Sequence, residues 1–338
     1  MKNRTKILFI ILVVLCAALF ALDMAVGSVA LSVDEIWQTL LGRGGDSAAI
    51  VLHFRLPKTL MAMLSGAALA AVGLSMQTIF RNPLAGPYVL GVSSGASLGV
   101  SLFLLGLPLV GLSASNEIVR NIGVVGAAWI GSALIMIVVI ATTARIKNIM
   151  TVLILGMMFG SAATALVEIL QYLSPESALK SFVVWTMGSL GGVTIGQLRI
   201  VVPVIAVGLL LSIRLIKPLD MLLLGESYAR SMGLNVKRTR VTVAIITVLL
   251  AGTITAYCGP IGFVGLAVPH VARMLFRRAD HRVLMPASML TGAVMMLFCD
   301  IASQLPSGDL VLPINTVTAL VGIPIVIAVI VRNRKTVV

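Results

Sequence analysis

Residues 7–22 read ILFIILVVLCAALFAL, without one charged or hydrogen-bonding polar side chain. A helix needs about 20 residues to cross the hydrocarbon of a bilayer, and nine further apolar stretches approach that length. They cover residues 60–80, 88–107, 122–142, 151–172, 200–216, 241–257, 261–276, 284–305 and 314–331. Backbone inside hydrocarbon must satisfy its own hydrogen bonds, which a helix does within a single segment. Composition agrees: 59% of the 338 residues are hydrophobic and 11% charged, against about 25% charged in a soluble domain. The sequence therefore predicts an all-α integral membrane protein with about ten transmembrane helices, forming one transmembrane domain over 1–338. The lipid bilayer is its first partner.

Orientation follows from the placement of Lys and Arg, which gather on the cytoplasmic side. With the N-terminus inside, 19 of the 25 basic residues fall on inner connections. The other six are Arg43, Arg55, Lys58, Arg120, Lys180 and Arg199. Both termini are then cytoplasmic, and the net charge of +13 is a topology signal that calls for no nucleic acid. The KNRTK start ahead of residues 7–22 lacks a small-residue cleavage site, so this stretch reads as a retained span. Cys16, Cys258 and Cys299 lie in separate spans without paired spacing and read as core residues, neither disulfide nor metal site.

The connections carry their own signals. Ser32-Val-Asp-Glu35 is a capping box, opening a short outer helix that Gly42 can end. Ser174-Pro175-Glu176 places proline where a helix begins and leads to Trp185 at the expected interface. On the inner side, FRNPLAGP (80–87) cannot continue a helix through its prolines. Downstream, Gly91, Gly95 and Gly99 leave one helical face bare, for close packing of backbones or for lining a pathway. A second break, CGPIGFVGLAVPH (258–270), starts on the opposite side. Interruptions of opposite orientation in the two halves are the pattern of an inverted repeat.

Between the sixth and seventh spans lies an inner loop, 218–240, with LGESYARSMGLN at 224–235. Pro218 punctuates its start, Asp220 can cap, and MLLLGESYAR is mostly good helix former. Gly233 can supply a left-handed turn. Met221, Leu222, Leu223 and Leu224 would leave an apolar patch at the surface, which marks a contact.

No G-x-x-x-x-G-K-[ST] stretch is present to cradle phosphates, and no nucleophile–base pair can be named. His53, His270 and His281 are far apart, and His270 reads as a packing or hydrogen-bonding residue. Three acids, Asp23, Glu168 and Asp300, fall within or at the ends of spans. Intramembrane carboxylates are functional candidates, and an ion-coupled secondary transporter would need them. Asp300 is the deepest and could cap a helix or pair between helices.

The run RLPKTLMAMLSGAALAAVGLSMQTIFRNPLAGPYVLGVSSGA closely resembles the hallmark of the FecCD/BtuC-type permeases, the membrane subunits of type II ABC importers. LGESYARSMGLNVKR, GPIGFVGLAVPHVARMLF and DHRVLMPAS resemble that family's later signatures, in the same order. The resemblance runs from about Arg55 to the C-terminus. It implies a BtuC-like arrangement of ten spans in the prokaryotic cytoplasmic (inner) membrane and a dimer with a second permease copy or close paralogue. It further implies two ATPase subunits, which carry ATP and Mg, and an extracytoplasmic substrate-binding protein; this chain would bind no cofactor. The cargo implied is a metal chelate, a ferric siderophore first, haem or cobalamin as alternatives.

Residue roles also follow from the resemblance. Leu224, Gly225, Glu226, Ala229, Arg230 and Gly233 match the element that couples to the ATPase. Arg55 and Lys58 match an outer R-L-P-R/K motif that receives carboxylates of the binding protein. A further basic residue that some members carry near the outer end of span nine is replaced here by Gln304. Asn82 and Leu84 match an inner gate. Gly156 and Gly160 lie in span five, which matches the family's central pathway helix, and would line the path; Gly91, Gly95 and Gly99 keep both readings given above.

Overall fold

The computed structural model describes residues 2–27, 31–43, 45, 48–112, 117–143, 149–305 and 311–334. Arg145, Lys147 and Lys335 of the charge count lie outside them. The described residues are helical throughout their ordered elements. In chain order these are α1 (Lys2–Ala25), α2 (Val33–Leu40), α3 (Ala48–Ile50), α4 (Leu56–Phe80), α5 (Val92–Ser101), α6 (Leu107–Leu109), α7 (Glu117–Thr143), α8 (Ile149–Leu173) and α9 (Glu176–Met187). Then follow α10 (Ile195–Arg214), α11 (Ile216–Leu223), α12 (Glu226–Ser231), α13 (Val236–Thr247), α14 (Thr253–Cys258), α15 (Val264–Phe276), α16 (His281–Ser303) and α17 (Ile314–Arg334).

Among the described residues, eight helical stretches are long and apolar enough to cross a membrane, and Val264–Phe276 and Ile314–Val329 are shorter apolar helices. Each of the ten apolar runs of the sequence thus has its helix, and the chain is a multi-pass membrane protein. Three spans carry one wide π turn, at Val51–Arg55, Leu102–Gly106 and Val248–Gly252. Such a turn admits an extra residue into an α-helix.

The helix ends show why the chain turns where it does. Ser32 Oγ accepts from the Glu35 amide at 3.2 Å, and the Ser32 amide donates to Glu35 at 2.8 Å. This is the expected capping box of α2, and its hydrogen bonds hold the Glu35 carboxyl below the usual carboxylate range. Gly42 follows with φ +78. Ser174 does not cap α9: its hydroxyl turns back to the Leu170 carbonyl of α8, and Pro175 takes the cap position. The second span begins earlier than its hydropathy implies, at Ala48, because His53, Arg55 and Lys58 dilute the apolar signal of its first turns.

Two compact units interleave along the chain. One comprises Met1–Ala71, Ser189–Ala206 and Gly262–Val338, the other Val72–Gly188 and Val207–Ile261. In the first, α1, α15 and α17 pack on α16. Gly66 of α4 meets Gly292 of α16 so closely that a Cβ on Gly66 would lie 2.0 Å from the Gly292 carbonyl oxygen. Cys16 and Cys299 are buried and unbonded here. In the second unit α5 packs along α7 and α8. Its core gathers Ala96, Val100, Leu105, Ala128, Val167, Phe182 and Ala256.

Candidate functional site

Three places hold the residues singled out by the sequence. The first is a charge cluster in the unit built on α16. Lys58 Nζ lies 3.0 Å from Asp300 Oδ2 and 3.7 Å from Asp23 Oδ1. Thr59 donates to Asp23 at 2.6 Å, and Gln304 Nε2 donates to Asp23 at 3.1 Å and to Asp300 at 3.2 Å. Asp23 is fully buried and Asp300 is 4% exposed. Arg55 is 5% exposed and donates to the carbonyls of Met24 and Ala25 at 2.7 and 2.9 Å. Those carbonyls end α1, where orphan acceptors and the negative end of the helix dipole favour a cation. Arg55 and Asp23 also attract each other.

Two cations and two anions thus balance inside the protein and tie α1, α4 and α16 together. This corrects the expectation for Arg55 and Lys58. Both lie in the helical stretch that starts at Ala48, and their charges are answered by their own chain, so neither stands free to receive a partner's carboxylate. Asp300 does pair between helices. Gln304 supplies an amide that bridges the two carboxylates.

The second place is the broken segment between α4 and α5. Arg81 has φ +47, a left-handed conformation uncommon for a residue with a side chain, and it stops α4. Asn82 then folds over the turn, its side-chain oxygen accepting from the Leu84 amide at 2.9 Å. Leu84 is 42% exposed. Gly91, with φ +75, separates a 3-10 turn at Pro87–Leu90 from α5.

The glycines that follow resolve the alternative left open by the sequence. A Cβ on Gly95 would lie 2.5 Å from the Gly131 carbonyl oxygen, and one on Gly99 2.0 Å from that of Ala127. Gly91 sits against Gly156 and Gly160 of α8, with a Cβ there 3.2 Å from the Gly156 carbonyl oxygen and 3.5 Å from Gly160 Cα. Gly91, Gly95, Gly99 and Gly160 therefore face neighbouring helices, which corrects their assignment as pathway lining, and Gly156 is buried beside Gly91. Between Gly156 and Gly160 on α8, Met157 and Met158 are exposed, at 49% and 61%.

The third place is the loop 218–240. The helix-forming run MLLLGESYAR is divided between two helices, α11 and α12. Gly225, with φ +121, cannot continue a helix, and its amide turns back to the Leu222 carbonyl at 3.2 Å. Pro218 and Asp220 both lie inside α11, so Asp220 is not its cap. α12 closes at Gly233, φ +84, as its position implied. Glu226 bonds Arg230 at 2.6 Å and Arg240 of α13 at 2.9 Å, so its carboxylate braces the loop. Ala229 is buried. Leu223, Leu224, Tyr228 and Met232 are exposed, an unpartnered apolar surface on a polar loop.

Arg81, Arg240, Thr59 and Asn235 were not singled out by the sequence reading, and Gln304 entered it only as a missing charge. Asn235 accepts from the Arg238 amide at 2.9 Å and caps α13. Its pattern, a capping residue ahead of an apolar span, was readable. The others act over distances in the chain that no local pattern records.

The comparisons with known proteins agree with this architecture. The model of the FecCD transport family matches residues 10–332. The chain is 33% identical to the hemin transport system permease protein HmuU of Yersinia pestis, over 99% of this chain and 97% of that one. It is 33% identical to the Fe(3+) dicitrate transport system permease protein FecD of Escherichia coli, covering 97% and 98%. It is 36% identical to the vitamin B12 import system permease protein BtuC of Klebsiella pneumoniae, covering 84% and 83%. Among solved structures, an inward-facing transporter of the metal-chelate ABC type superposes with a TM-score of 0.81 at 30% identity, over 97% of this chain and 99% of that one. On sequence and on fold together, the chain belongs to the FecCD transport family.

Proposed function

We propose that this chain is the permease subunit of an ATP-binding-cassette importer in a prokaryotic cytoplasmic membrane, carrying a metal chelate inward. A ferric siderophore is the first choice of cargo, with haem and cobalamin next. Two permease copies, or this chain and a close paralogue, stand on two ATPase subunits that bind ATP and Mg. A substrate-binding protein delivers the chelate at the outer face. Both termini, the 81–86 segment and the loop 218–240 face the cytoplasm. Asn82 and Leu84 form part of the inner gate.

The observation that carries the reading is the α11–α12 pair. It is a polar, internally braced loop that presents Leu223, Leu224, Tyr228 and Met232 outward, in a multi-pass membrane chain that belongs to a transport family. Exposed apolar side chains on a rigid loop are the surface a soluble partner needs. Arg230, whose side chain is 65% exposed, adds a charge at the rim.

Co-purification tests it. The complex is extracted in mild detergent from cells that make all its subunits, with and without Leu224→Arg and Tyr228→Arg. A stoichiometric ATPase that is lost on either substitution is expected. A permease that never carries an ATPase under several mild conditions overturns the reading in favour of an ion-coupled carrier.

A further inference from the structure

We propose that Arg81 is a strut that joins the 81–86 segment to the α11–α12 pair, so that displacement of the pair is transmitted to the segment holding Asn82 and Leu84. The inference rests on the coupling role proposed above for that pair.

Arg81 Nη2 donates to the Leu222 carbonyl at 3.3 Å, across 141 positions of sequence. Leu222 lies in the last turn of α11, where the dipole is negative and its carbonyl, with room for a second donor, also accepts from the Gly225 amide at 3.2 Å. A Cβ on Gly225 would lie 3.5 Å from the same guanidinium nitrogen, so the cation lies over the hinge between α11 and α12. The left-handed backbone of Arg81, φ +47, places this residue out of line with α4.

Both ends of the strut are stiff. On one side the Arg81 amide bonds Thr78 at 3.3 Å, the Asn82 amide bonds Gln77 at 3.2 Å, and Asn82 accepts from Leu84. On the other side Glu226, next to Gly225, is held by Arg230 and by Arg240 of α13. Two arginines, Arg81 and Arg240, therefore fasten the pair to the end of α4 and to the start of α13. Arg240 meets a carboxylate, whereas among the described residues Arg81 meets a main-chain carbonyl. Its contact depends on the geometry of the α11 terminus and would be kept or lost as that terminus moves.

The test uses the intact complex of permease, ATPase and binding protein in proteoliposomes, supplied with whichever of ferric hydroxamate, haem or cobalamin the unsubstituted complex takes up. Chelate transported per ATP hydrolysed is compared for the unsubstituted chain, Arg81→Ala, Arg81→Gln and Arg81→Lys. Coupling between sites is commonly worth a factor of about 5 to 150. Arg81→Ala is expected to keep its ATPase bound and hydrolysing, while transport per ATP falls by about fivefold or more. Arg81→Lys should recover part of it, since an ammonium can donate to one carbonyl but lacks the guanidinium fork. A strut without this role leaves transport per ATP unchanged in all three variants, and that result overturns the proposal. If Arg81→Ala fails to assemble, Arg81→Gln carries the same readout. Uptake by the unsubstituted complex that is indifferent to ATP would instead sink the importer reading, and the strut with it.

Discussion

Lys58 shows how a single residue can be placed correctly in sequence and wrongly in space. Its type and neighbours pointed outward; the fold turns it 3.0 Å from Asp300. Removing one partner of a buried ion pair costs about 3–5 kcal/mol, because the charge left behind has no water to replace it. Lys58→Met is expected to destabilise the protein by about that much, read as thermal unfolding in detergent. Lys58→Met with Asp300→Asn should recover most of the loss, since Asp23 keeps Thr59, Gln304 and the attraction of Arg55. Equal melting of single and double variants would contradict the cluster. At the opposite end of α16, the Arg278 hydrogen bond holds the Asp280 carboxyl below its usual range. A carboxyl depressed on folding stabilises above its unfolded pKa, and that stability is lost as pH falls through the folded one. Both side chains are about a third exposed, so the effect stays within about 0–1 kcal/mol. Asp280→Asn should flatten that acid-side dependence of melting and leave alkaline melting alone.

Elements were more legible than contacts. Every apolar run became a helix, and the capping box at Ser32, the turn at Gly42 and the stop at Gly233 formed where residue chemistry placed them. What the sequence could not show was which way a bare glycine face points. The spacing of Gly91, Gly95 and Gly99 fits a pathway and a helix contact equally well; the contact is decided by Gly131 and Ala127 on α7, which no local pattern couples to α5. The consequence is testable with a control on the same helix pair. Gly99→Ala forces a methyl into the Ala127 carbonyl and should cost about 1–3 kcal/mol by overpacking. Gly126→Ala meets nothing within 4 Å and should melt like the unsubstituted protein. The π turns were equally hidden, since one extra residue in a helix leaves hydropathy unchanged. The break at Gly225 was missed because its neighbours are good helix formers; its φ of +121 makes Gly225→Ala a strained variant, by about 1–3 kcal/mol. Melting of Gly225→Ala as high as that of the unsubstituted protein would contradict that backbone.

The whole molecule combines membrane-spanning helices with a small polar loop whose exposed apolar side chains suit a soluble partner. Family membership was readable from long motifs, because such motifs record backbone breaks and close approaches that substitution rarely tolerates. Cargo was not, since no cluster of side chains in the described segments commits to one chelate. The central claim is that an ATPase drives transport through 218–240. The most direct measurement is uptake of ferric siderophore, haem and cobalamin into proteoliposomes holding permease, ATPase and binding protein, with and without Leu224→Arg. The account predicts ATP-dependent uptake of one chelate, a siderophore first, that Leu224→Arg abolishes. Uptake that ignores ATP and Leu224→Arg and collapses with the proton gradient alone would contradict it.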